Sequence, residues 1–139
     1  MKITNFKVGV LTSILAGIKL NKISDGETKY TLLKDYLVLR KITNEFEDAK
    51  TAIVQKFQDD YKDEIPKVIA LRKENKPLDG YEDFVSAEAE ANHFIETIAQ
   101  TEVEVELVPV NKKYLLEASG EDNLTLDTVA FLIENNILE

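Results

Sequence analysis

The chain has no cysteine, one histidine, three prolines and five glycines among 139 residues. Without cysteine there are no disulfides, no thiolate metal sites and no cysteine nucleophile. The glycines are scattered singly, so no glycine-rich loop is present to cradle a phosphate. His93 is the only imidazole a serine or threonine nucleophile could pair with, and no Gly-x-Ser-x-Gly element occurs. Long apolar runs are also missing. No stretch approaches the ~18–20 residues of a membrane span. The N-terminal segment, interrupted by Lys7, Thr12 and Ser13, lacks the apolar centre and small-residue cleavage site of a signal peptide. These absences lead us to expect a soluble intracellular protein without enzymatic activity, metal or cofactor.

Positive charge is absent from one long stretch. Between Leu78 and Asn111 there are nine acidic residues and no Lys or Arg, whereas the remaining chain carries 17 bases against 17 acids. The net charge of −9 therefore comes from this segment. Nucleic-acid binding requires clustered Lys and Arg against phosphate, so direct contact with DNA or RNA is not expected. The acidic stretch reads either as a solvated face or as a surface for a basic protein partner.

What the chain does contain is helical periodicity. Thr28 to Lys62 is 35 residues without Gly or Pro, in which Leu39, Ile42, Phe46, Ala49, Ile53 and Phe57 follow at steps of 3, 4, 3, 4 and 4. This spacing draws an apolar seam along one side of a helix about 50 Å long. A second helix over residues 82–100 repeats the spacing through Phe84, Ala87, Ala91, Phe94 and Ile98. Together the two predict an antiparallel helical hairpin with a coiled-coil-like seam. An insertion at 63–81 forms its tip, with Asp63 capping a short helix and the loop Asn75–Gly80 reversing the chain. The return helix is much the shorter, so part of the long seam must be covered by other elements or by another subunit.

The ends of the chain read as short elements at the base of the hairpin. Asn5 is a plausible N-cap for a helix reaching Ala16, with Gly17 beyond it. Residues 18–23 alternate apolar and polar, a short strand pattern. Residues 102–108 do so more strongly, with Val103, Val105 and Leu107 on one face and Glu102, Glu104 and Glu106 on the other. Pairing these two segments gives a small two-stranded sheet. Two C-terminal helices follow, 112–118 capped by Asn111 and stopped by Gly120, and 126–136 capped by Thr125 with a Leu124/Val129 staple. The expected architecture is a single, mainly α domain (α+β) built on the hairpin.

The segments KYTLLKDYLVLRKITNEFEDAK in the long helix, IAQTEVEVELVPV at 98–110 and the closing LTLDTVAFLIENN together resemble a family of small phage-encoded proteins of unknown function. The insertion at 63–81 departs from the shorter, more polar connection of that family and leaves the hairpin tip unassigned by the likeness. The resemblance carries no catalytic motif. It implies a phage or prophage origin and a place in the cytoplasm of an infected bacterium, with association with the virion as one role.

Two constellations suggest chemistry. Glu90 and His93 have the Glu-x-x-His spacing of di-iron carboxylate bundles, but such a site needs two of these motifs and further carboxylates; one histidine fails that count within one protomer, which leaves a metal-dependent enzyme formed by a symmetric dimer as a distant alternative. Glu102, Glu104 and Glu106 share a strand face about 7 Å apart, too far for one small cation. Partner contact is the better expectation. Phe57, Tyr61 and Tyr81 flank the reversal of the hairpin, and Glu88, Glu90 and Glu96 carry the acidic character of the return helix. Two functions follow: a structural or assembly-accessory protein working through its hairpin, by self-association or docking, and an acidic inhibitor occupying the basic groove of a host nucleic-acid-binding or defence protein.

Overall fold

The computed structural model describes residues 1–119 and 124–139. In chain order these form β1 (Lys2–Thr4), α1 (Asn5–Ala16), a 3-10 turn at Leu20–Lys22, α2 (Gly26–Asp60), α3 (Glu64–Lys73), α4 (Glu82–Gln100), β2 (Glu102–Glu104), α5 (Lys112–Ser119) and α6 (Leu126–Glu134). The fold is mainly α with one two-stranded antiparallel sheet. Residues 1–44 and 102–139 make one compact unit, and residues 45–101 a second. Helix α2 runs through the division and contributes its first half to one unit and its second half to the other.

In the first unit the sheet is not the one the alternation at 18–23 predicted. That segment forms the 3-10 turn, and β2 pairs instead with β1, Ile3 opposite Val103 and Thr4 opposite Glu102. β1 closes the ladder while burying Ile3 in the core of this unit. The Met1 amino group bonds Glu104 Oε1 at 2.8 Å and the Val105 carbonyl at 3.0 Å, while the Val105 amide donates back to the Met1 carbonyl. Three residues of ladder suffice for that closure. β2 accordingly ends at Glu104 rather than 108, although Val105 is buried and Glu106 exposed as the alternation requires.

The helix ends follow local chemistry. Thr4, not Asn5, caps α1, its hydroxyl accepting the Lys7 amide. Asp25 opens α2 by accepting both the amide and the hydroxyl of Thr28. These two bonds, the hydroxyl's being the stronger influence, hold its carboxyl below the usual range. α2 thus starts at Gly26 and stops at Asp60, two residues earlier at each end than the apolar pattern suggests. Asn111 and Thr125 cap α5 and α6 as their positions predict. Gly120, the expected stop for α5, lies outside the described residues. α6 closes where Asn136 adopts φ +61° and lets the Ile137 amide return to the Leu132 carbonyl. Val110 then bridges Leu138 in parallel.

The core of this unit takes Val8, Leu11 and Leu15 from α1, Leu32 and Leu39 from α2, Val105 and Val110 from the return segment, and Leu115, Leu132 and Ile137 from the C-terminal part. Within α2 the fully buried positions are Thr28, Leu32, Asp35 and Leu39, all in its first half.

The second unit is a helical hairpin: residues 45–60 of α2, then α3, then α4. Asp63 precedes α3 in a helical conformation and its side chain makes no cap bond, so the expected cap is not formed. α3 ends at a left-handed Asn75 (φ +53°), which returns the Lys76 amide to the Leu71 carbonyl. Gly80 (φ +87°) then turns the chain into α4. Among the described residues of this unit only Val68 and Phe84 are buried apolar side chains. The α4 seam also differs from expectation at one place. Phe94 is 55% exposed, while Ile95 is half-buried. Either fits the spacing from Ala91, and the register through Glu88, Ala91 and Ile98 selects Ile95.

Leu11 has no solvent exposure and sits among side chains of several elements. Leu11→Ala is expected to lower unfolding stability by about 2–5 kcal/mol. Urea denaturation checks this, and a loss below about 1 kcal/mol would contradict the packing described.

Candidate functional site: an open groove between three helices

The groove lies wholly within the hairpin unit. Its floor is aromatic. Phe57 near the end of α2 lies 5.2 Å from Phe84 at the start of α4, and Tyr61 stands 5.3 Å from Phe57 and 5.5 Å, edge-on, from Phe84. Such tilted pairs contribute about 0.5–1.5 kcal/mol each beyond their buried area. Val54 and Gln58 of α2 form one wall, Ile65, Val68 and Ile69 of α3 the second, and Ala91, Asn92 and Ile95 of α4 the third. The space between these walls is about 290 Å³ and open to solvent.

One ion pair fixes two of the walls. Arg72 of α3 and Glu88 of α4 meet through two bonds, Nη1 to Oε2 at 2.9 Å and Nη2 to Oε1 at 2.7 Å. Hydrogen bonding to the guanidinium, more than its charge, holds the Glu88 carboxyl below the usual range, and the same bonds raise Arg72. Both side chains are partly solvated, so the pair positions the helices more than it stabilises them; exposed pairs contribute about 0–1 kcal/mol.

The residues singled out from sequence separate into three groups. Phe57 and Glu88 line the groove, and Tyr61 packs on its aromatic floor. Tyr81 is half-buried just ahead of α4 and does not line it. Glu90 and Glu96 are exposed on α4 outside it. Sequence reasoning missed Val54 and Ile69, exposed at 39% and 49% on the groove walls. Ile69 did carry a signal, since Ile65, Val68, Ile69 and Arg72 fall at helical spacing on one face of α3. Val54 carried none, being adjacent to the seam residue Ile53.

His93 and Glu96, with Thr97, Gln100 and Thr101, border a shallow depression on another side of α4, where His93 is exposed. Among the described residues no group of three or more His, Asp or Glu side chains is placed to hold a metal ion, and no helix is long and apolar enough to cross a membrane. The hairpin carries most of the charge: residues 45–101 hold fourteen acidic against seven basic side chains, −7 of the total −9.

Asp35 in the first unit is a second unusual group that the sequence reading passed over. It occupies the buried stripe of α2 between Leu32 and Leu39 and is 3% exposed. Its Oδ1 accepts the Val108 amide at 3.0 Å and ties the segment after β2 to α2, while Oδ2 has no hydrogen-bond partner. Burial pushes this carboxyl up to about 6, against the opposing pull of the Val108 amide and of Lys34. A charged residue at i+3 on an apolar stripe was the signal available. The arrangement can hold or release one proton, but no nucleophile or second acid accompanies it in the contacts described.

Comparison of the chain with protein-family models, with curated proteins and with solved structures gives no match.

Because the folded-state value of Asp35 lies above its ordinary 3.8, the folded chain holds that proton more tightly than the unfolded chain does. The ionised group then costs stability as pH rises through the window from 3.8 to about 6, and costs nothing below it. Stability is expected to fall between pH 4 and pH 6.5 by roughly 1–3 kcal/mol from this group. Asp35→Asn, which keeps an acceptor for Val108, removes that component. Urea titrations of both proteins across the window check this, and parallel pH profiles would contradict it.

Proposed function

We propose that this protein is non-enzymatic and works by protein–protein contact through the groove of its hairpin. One observation carries the reading. The groove has an aromatic floor and apolar walls, and Val54 and Ile69 remain in water where a packed core would cover them. Apolar surface concentrated in an open trough is the usual form of a docking site. A structural or assembly-accessory role fits such a surface, and the likeness to phage-encoded proteins is the ground for placing that role in an infected bacterium.

A second reading is supported by charge. With −7 on the hairpin, the protein would serve as an acidic inhibitor filling a basic groove of a host protein. Glu88 is occupied by Arg72, so Glu90 and Glu96 are the carboxylates that reading would use.

The readings separate by mutation. Val54→Ser with Ile69→Ser removes apolar wall from exposed positions and is expected to leave the helical circular-dichroism spectrum unchanged. Bait-specific partners recovered from the source cells should fall roughly tenfold, the equivalent of about 1.4 kcal/mol. Glu90→Lys with Glu96→Lys, outside the groove, should lower recovery by less than the wall variant does. The opposite pattern favours the inhibitor, and recovery insensitive to both pairs ends the groove reading.

A further inference from the structure

The groove and the charge of the hairpin belong to the same unit, and together they narrow the partner. We infer that the groove receives a basic amphipathic helix from another protein, its apolar face seated on Phe57 and Phe84 and its cationic residues held outward within the field of the acidic hairpin. The inference rests on the docking reading above and deepens it.

Shape supports a helix as occupant. The α4 wall extends from Phe84 to Ile95, about 16 Å at roughly 1.5 Å per residue, or three helical turns. Walls made of helices present ridges and grooves at the spacing that accepts another helix, whose anchors fall at i, i+3 or i+4, and i+7. Val54 on the α2 wall and Ile69 on the α3 wall are exposed apolar side chains that such anchors would meet. An isolated small molecule is a poorer occupant, since the groove is open to solvent and its lining is mostly apolar, with few convergent polar groups.

Charge decides the sign of the partner. The hairpin unit is −7, and at the groove Arg72 and Glu88 neutralise one another, so the attraction is that of the whole unit rather than of a carboxylate in the groove. A second copy of this chain would bring another −7 to the same interface, and like charges brought together there oppose association. A cationic helix instead meets a complementary field, which speeds its encounter and orients its polar face outward. The apolar floor keeps the contact from being a purely electrostatic one.

The test uses the full chain and three fluorescein-labelled synthetic peptides of about four helical turns. One is a Leu/Lys amphipathic helix, one its Leu/Glu counterpart, and one a Lys/Ser peptide of equal positive charge without an apolar face. Fluorescence anisotropy gives affinity and amide chemical shifts give location. The expected result is saturable one-to-one binding of the Leu/Lys peptide alone, with shifts centred on Val54, Ile69 and Ile95. Val54→Ser with Ile69→Ser should weaken that binding roughly tenfold. If the Lys/Ser peptide binds as well, or if the double variant binds unchanged, the association is diffuse charge attraction and the inference is overturned. If the Leu/Glu peptide seats in the groove equally, or sedimentation shows a groove-dependent dimer, the basic-helix inference fails while docking stands. If no peptide perturbs the groove and the protein remains monomeric, both fall.

Discussion

A helix of 35 residues can keep an apolar seam from water only where other elements lie against it, and α2 is served unequally along its length. Its first half gives Leu32 and Leu39 to a core completed by α1, the segment after β2 and the C-terminal part. Its second half has no fully buried residue. Phe46, Ile53 and Phe57 are there only half-covered, and Val54 is exposed. The same periodic sequence therefore makes a closed core at one end and an open trough at the other. Since burying apolar area contributes about 25 cal/mol per Å², the open half retains a driving force for association that the closed half has already used in folding.

Two polar arrangements mark the two ends. Arg72 and Glu88 sit in solvent on the groove wall and fix the spacing of α3 and α4 with a bidentate bond whose strength lies in geometry rather than net energy. Asp35 is the reverse case. It is removed from water beside Leu32 and Leu39, satisfies the Val108 amide with one oxygen and leaves the other without a partner. That bond anchors the segment leading from β2 to Val110, at the cost of a carboxyl that resists ionisation. A buried acid of this kind specifies where the segment lies more than it stabilises it.

Much of the fold was legible because it rests on periodicity and caps. The helical spacing located α2 and α4, the bounds of α4 match the observed ones, and Asn111 and Thr125 announced their helices. The alternation at 102–108 gave the correct inward face. What failed was the partner of that strand, because Ile3 pairs with Val103 across about 100 residues of chain, a contact invisible to any local window. The Phe94/Ile95 choice failed for a different reason. Both residues are apolar and either suits the period, so only the packed register could decide between them. Of the groove, Phe57, Tyr61 and Glu88 were anticipated, while Val54 lay one position off the seam that the pattern displayed. Asp35 was passed over because a charge on an apolar stripe reads as interruption until Val108 is seen opposite it.

Helix α2 is closed by its own chain in its first half and left open to solvent in its second. Native-state hydrogen exchange along this one helix tests it most directly, because protected amides report local opening energies residue by residue. Amides between Leu32 and Leu39 should exchange only through global unfolding. Those between Phe46 and Phe57 should exchange markedly faster, through local opening. Uniform protection along the whole helix would contradict it, since the second half would then be as fully covered as the first.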